Sequence, residues 1–167
     1  MIIFQKNKKK FILAIILLII MVLWTYFIFS MSMQTAEESS SVSRGLLKRL
    51  LTVIQNILWF DVEFQTLHNL FRKLAHFAEF FILGTLSAGF IKTMSFHILF
   101  SPAYCLIIAI SDETIQYFTG EGRAAQLRDV LIDFSGSITG IITICLIVYI
   151  ICKLKMNKKA KNEHTTQ

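Results

Sequence analysis

The chain has 167 residues, 54% of them hydrophobic and 17% charged, and its mean hydropathy is +0.60. That balance excludes an ordinary soluble domain of this size and fits one compact integral membrane domain. The net charge of +6 lies mostly in two lysine-rich tails, so it reads as a topology signal and not as nucleic-acid binding.

Residues 1–10 form a basic tail with Lys6, Lys8, Lys9 and Lys10. Residues 11–152 are the expected membrane domain, and residues 153–167 form a second basic tail with Lys153, Lys155, Lys158, Lys159 and Lys161. Phe11 to Phe29 carries no charge and approaches the ~20 residues a helix needs to cross a bilayer. It is too long for a typical signal-peptide core and ends in Tyr26-Phe27-Ile28-Phe29-Ser30, with no small-x-small cleavage site, so an uncleaved span is expected.

Met31 to Ser43 is a polar exit loop. Gly45 to Phe60 then shows helical periodicity, with Leu46, Leu47, Leu50, Leu51, Ile54, Ile57 and Leu58 on one side. The pattern predicts an amphipathic helix, lying on the outer membrane surface or packed on the other spans. Further spans are expected at about 74–91, 96–116 and 130–151, the third holding the only proline, Pro102. Backbone in lipid must satisfy its own hydrogen bonds, so the fold class is all-α with four transmembrane helices. The positive-inside rule puts both basic tails in the cytoplasm, and an even number of spans agrees with that. The turn at Lys92–Phe96 is then cytoplasmic, and the loops at about 30–72 and 117–128 face outward. Cys105, Cys145 and Cys152 lie in or at the ends of apolar segments and read as small buried hydrophobes.

Ionisable residues interrupt three of these spans. A charge in hydrocarbon costs roughly 2.5–3.5 kcal/mol even on the gentlest scale, so such groups face a partner, a cavity or a ligand. Lys73, His76 and Glu79 share a face of the second span. Asp112, Glu113 and Gln116 close the third, and Arg123, Arg128, Asp129 and Asp133 lead into the fourth. Each group falls at the outer end of its helix, so the topology gathers them into one cluster near the outer headgroup layer. Gly84-x-x-x-Ala88 and Gly136-x-x-x-Gly140 are small-residue pairs that permit close helix approach.

Four readings of the cluster stay open on the residues alone. The first is structural, although buried ion pairs add little net stability. Arg72, Lys73, Arg123 and Arg128, with the helix N-termini of spans two and four, suit a phosphate or carboxylate headgroup. His76 with the carboxylates suits general-base chemistry, or a divalent metal held by the acids. A His and acid chain also suits proton-coupled movement. No HExxH, phosphatase or nucleophile signature is present, so no metal site and no cofactor is expected, and Glu79, Asp112 and Glu113 stand with His76 as the catalytic candidates.

Three stretches resemble the VanZ-like family. Phe29-Ser30-Met31-Ser32-Met33-Gln34 is similar to its exit from the first span. Arg72-Lys73-Leu74-Ala75-His76-Phe77-Ala78-Glu79-Phe80, followed by Leu83-Gly84, is similar to its Lys-x-x-His-Phe-x-Glu-Tyr block. Ser111-Asp112-Glu113-Thr114-Ile115-Gln116, then Gly122-Arg123, Arg128-Asp129-Val130, Asp133, Gly136 and Gly140, is similar to its long ordered signature. Met31 and Met33 interrupt the first motif, Phe80 stands where tyrosine is frequent, and Glu121 replaces the usual proline before Gly-Arg.

The resemblance implies a multi-pass bacterial plasma-membrane protein associated with lowered sensitivity to glycopeptide antibiotics, above all teicoplanin, which carries an acyl chain. The expected mode is binding of an anionic envelope lipid, or of the lipidated drug, with Arg123 and Arg128 on the anion and His76, Glu79, Asp112 and Asp133 as the floor. The alternatives are a membrane enzyme acting on a lipid-linked cell-wall precursor and a scaffold for envelope proteins. Membrane lipids are the expected partners, an oligomer is compatible with the pattern, and nucleic acid is not a partner.

Overall fold

The computed structural model describes residues 2–33, 64–119 and 126–165. The amphipathic helix expected at Gly45–Phe60, and Arg123, lie outside the described residues. Four helices account for nearly all the rest, and no strand occurs among the described residues: α1 (Ile2–Ser32), α2 (Phe64–Met94), α3 (Phe100–Thr119) and α4 (Leu127–Thr165).

Among the described residues, three segments are long and apolar enough to cross a membrane, namely Lys8–Ser32, Asn69–Met94 and Leu127–Lys158. The helix at Phe100–Thr119 falls short of that standard because Asp112, Glu113 and Gln116 dilute its apolar run. It begins at Phe100 and not at the expected 96, because residues 95–99 are taken up by the turn from α2. In that turn the Phe96 N–H reaches the Ile91 carbonyl (3.0 Å) and the Ser95 N–H the Lys92 carbonyl (3.2 Å). This is a Schellman cap, with Ser95 rather than glycine at the left-handed position (φ 60°).

The outer surface of the bundle is apolar. Ile12, Ile19, Leu23 and Tyr26 of α1 and Leu146, Tyr149 and Ile150 of α4 are exposed, as they must be where lipid is the solvent. The inward stripe of α1 is Ala14, Met21 and Ile28, repeating every seven residues. Met21 and Ile28 meet Phe80 and Leu83 of α2 and Cys105, Ile108 and Ala109 of α3 in one core.

The tightest seam joins α2 and α4, which run parallel. A methyl group on Gly136 would strike the Phe77 carbonyl, one on Gly140 the Phe81 carbonyl, and one on Gly84 the Ser137 carbonyl. With no hydrophobic force between helices in lipid, such backbone contact supplies the van der Waals attraction that holds them. Small hydroxyls extend the packing: Thr85 of α2 donates to the Gly140 carbonyl across the seam at 3.4 Å, and Ser87 of α2 shares a hydrogen bond of 2.5 Å with Ser101 of α3.

Candidate functional site

The contacts fix which helix ends lie together. The C-terminal ends of α1 and α3 and the N-terminal ends of α2 and α4 all meet at one end of the bundle, termed here the polar end. Each junction there is made by a residue that the sequence places on the facing side of its helix.

Where α1 meets α3, the last residue of α1, Ser32, is buried and its hydroxyl donates to Asp112 Oδ1. Gln116 Nε2 donates to Asp112 Oδ2 (2.8 Å) and to the Ser32 hydroxyl (3.3 Å). Thr119 Oγ1 donates to the Ser32 carbonyl (3.2 Å), one of the carbonyls that a helix C-terminus leaves without an internal partner. Asp112, Gln116 and Thr119 recur at helical spacing, so one face of α3 makes the whole junction.

Where α3 meets α4, Glu113 Oε1 accepts the backbone N–H of Gln126 (2.6 Å), and the Gln126 carbonyl accepts the N–H of Asp129 (2.8 Å). Gln126 directly precedes α4, so Glu113 lends that helix an N-terminal carboxylate from another element.

Where α2 meets α4, two contacts form successive rungs. Arg72 Nη2 lies 3.4 Å from Asp129 Oδ2, and His76 Nδ1 lies 3.4 Å from Asp133 Oδ1. Each pair of rungs is four residues apart on its own helix, which parallel helices require. The rungs differ in depth. The Arg72 side chain is 35% exposed, whereas that of Asp133 is 1% exposed. The inner rung lacks hydrogen-bond alignment: His76 Nδ1 and both Asp133 oxygens are buried without a hydrogen-bond partner among the described residues.

Asp112 brings a third helix to the inner rung. Ligand atoms of His76, Asp112 and Asp133 lie within 4.8 Å of one another. Two carboxylates and one imidazole thus converge in a region shielded from water, where an unpaired charge is costly. Such a floor repels an anion and attracts a cation or a proton. The cationic groups lie nearer the rim. Arg72 and Lys73, half-buried, line a shallow indentation with His76, Asp129 and Ile132, and Arg128 is exposed on the first turn of α4.

The residues singled out from the sequence therefore divide. His76, Asp112 and Asp133 converge, Gln116 and Glu113 tie helices together, Asp129 pairs with Arg72, and Lys73 is at the rim. Glu79 is half-buried one turn beyond His76 and outside the triad; its backbone carbonyl accepts Trp24 Nε1 at 2.9 Å. Ser32, Thr119 and Trp24 are contributors that composition and spacing did not mark. Ser32 continues the inward stripe of α1 four residues after Ile28, which is the signal that locates it. Away from this end, an apolar cleft of about 400 Å³ opens between α1, α2 and α3, lined by Met21, Phe90, Ile91, Phe96, Phe100 and Tyr104.

A family model described as VanZ/LLP1 matches residues 16–152, a stretch that contains every group of the polar end. Comparisons with curated proteins and with solved structures returned no match.

Proposed function

We propose, from the premise that this chain belongs to the VanZ/LLP1 family of membrane proteins, that its polar end engages an amphiphile with an anionic headgroup at the outer face of a bacterial plasma membrane. The occupant is an envelope lipid or an acylated glycopeptide such as teicoplanin. The observation that carries this reading is the layering of charge, with Arg72, Lys73 and Arg128 toward the rim and the acidic triad below them. The N-termini of α2 and α4 add partial positive charge at the same end, which favours a phosphate or carboxylate.

The topology of this reading has α3 as a fourth span. Its 20 residues suffice for a crossing, and its polar face is turned into the bundle, not to lipid. The helix-end contacts put Lys8–Lys10 and the lysines of α4 at the end opposite the polar one, so the positive-inside rule turns the polar end outward.

The test is expression in a teicoplanin-susceptible host, with wild type and a Lys73→Ala/Arg123→Ala variant at equal abundance. Wild type raises tolerance to teicoplanin more than to a glycopeptide without an acyl chain, and the variant loses the effect. Lipidomics of the purified protein from untreated cells identifies an envelope lipid as the occupant, and direct titration with teicoplanin identifies the drug. Unchanged tolerance together with unchanged lipid retention in the variant overturns the reading.

A second reading, an enzyme acting on a lipid-linked envelope precursor, draws on the convergence of His76 with two carboxylates, which is the composition of a general-base site. Turnover of a polyprenyl-phosphate substrate by wild type and not by His76→Ala decides for it.

A further inference from the structure

We propose that His76, Asp112 and Asp133 form a binding site for one divalent first-row metal ion of the Zn²⁺ or Mn²⁺ type. The inference goes beyond the headgroup reading and does not depend on it.

Geometry carries the first part of the argument. One imidazole and two carboxylates, supplied by α2, α3 and α4, present ligand atoms within 4.8 Å of one another. Metal–nitrogen and metal–oxygen bonds of about 2.0–2.2 Å put ligands around a shared ion about 3–4 Å apart. Small side-chain rotations close that gap. Sequence spacing hides such a site, because each ligand comes from a different helix.

The second part is the state of Asp133. Its side chain is 1% exposed, and neither of its oxygens accepts a hydrogen bond from any described residue. It points at His76 Nδ1, which is likewise without a hydrogen-bond partner. A buried carboxylate left in this way is destabilising unless something cationic joins it. A protonated His76 offers one positive charge against two carboxylates, whereas a dication balances both.

The third part is the support around Asp112. Ser32 Oγ and Gln116 Nε2 hold its two oxygens in place, and each oxygen keeps a second lone pair for a metal. Outer partners that orient a ligating carboxylate are the usual surroundings of a metal site. Imidazole nitrogen suits Zn²⁺ and carboxylate oxygen suits Mn²⁺, and three protein ligands leave a position open for water or a ligand oxygen.

Co²⁺ titration of the full-length protein, purified in lipid-free detergent micelles after chelator treatment, tests the site. Wild type takes up one equivalent, develops visible d–d absorption that Zn²⁺ abolishes, and melts at a higher temperature with metal than without. Asp133→Asn and Asp112→Asn, which keep side-chain shape, bind Co²⁺ at least tenfold more weakly, while Asp129→Asn and Lys73→Ala bind as wild type does. Folded wild type with no saturable uptake overturns the site, and so does full affinity in both Asn variants. Loss of uptake in Lys73→Ala moves the metal to the rim and overturns it too. A protein that retains lipid but takes up no Co²⁺ overturns only the metal site. One that takes up Co²⁺ but neither retains an envelope lipid nor binds teicoplanin overturns only the headgroup reading.

Discussion

The two ends of the α2–α4 contact are held by different means. Through the middle, Gly84, Gly136 and Gly140 bring backbone against backbone with no room for a single methyl group. One to two turns nearer the polar end, the same helices face each other through His76 and Asp133, which touch without a hydrogen bond. The middle is packed to completion, while the polar end keeps unsatisfied groups at nearly full burial. Natural proteins tolerate such local destabilisation chiefly where a site has to receive something. On the proposed reading the glycine seam supplies stability and the polar end receives the ligand.

Substitutions can break that assignment. The largest effect is expected at the seam. Gly140→Val forces side-chain atoms into the Phe81 carbonyl and Thr85, and overpacking of this kind costs about 3 kcal/mol or more. Thermal unfolding in detergent should show a marked fall in melting temperature, or no folded protein. A Gly140→Val protein as stable as wild type would remove the seam as the source of stability.

An intermediate effect is expected where the polar end is satisfied. Asp112→Ala leaves the Ser32 hydroxyl and the Gln116 amide buried without their acceptor, at a cost of about 2 kcal/mol. Asp112→Asn keeps a carbonyl acceptor and should recover part of that loss. Equal melting temperatures for the Ala and Asn variants would mean that the hydrogen bonds do not hold α1 to α3.

Much of this was legible in the sequence, for identifiable reasons. The apolar runs fix the helices, because a helix in lipid has no alternative for its backbone groups. The Gly136-x-x-x-Gly140 pair announced close approach, and the seam is there. The polar residues of three expected spans pointed to one end of the bundle, and seven of the ten make its helix-end contacts or line its rim, with Glu79 half-buried one turn further in. The exceptions are instructive: Arg123 is outside the described residues, and Arg128 is an exposed neighbour of the cluster.

What the sequence withheld is pairing. Periodicity assigns His76 and Asp133 to helix faces but not to each other, because rotation and axial shift of two helices are set by packing. Ser32 stood in the Phe29–Gln34 stretch of the family resemblance, but its inward orientation was hidden for a related reason. On a helix apolar all round, such as α1, the inward stripe of Ala14, Met21 and Ile28 has no polar face to contrast with. Helix α3 illustrates the reverse: the same Asp112, Glu113 and Gln116 that mark the candidate site weaken the hydropathy signal of the helix that carries them.

The smallest effect on stability is expected at Asp133, a charge buried almost completely, and it tests the central claim most directly. Asp133→Asn keeps the shape of the side chain and removes a carboxylate that no described residue hydrogen-bonds. The measurement is the melting temperature of chelator-treated wild type and Asp133→Asn in the same detergent. A functional polar end predicts a variant that melts at or above the wild-type temperature. A fall as large as that of Gly140→Val would show instead that Asp133 is part of what holds the bundle together, and would contradict the division between seam and site.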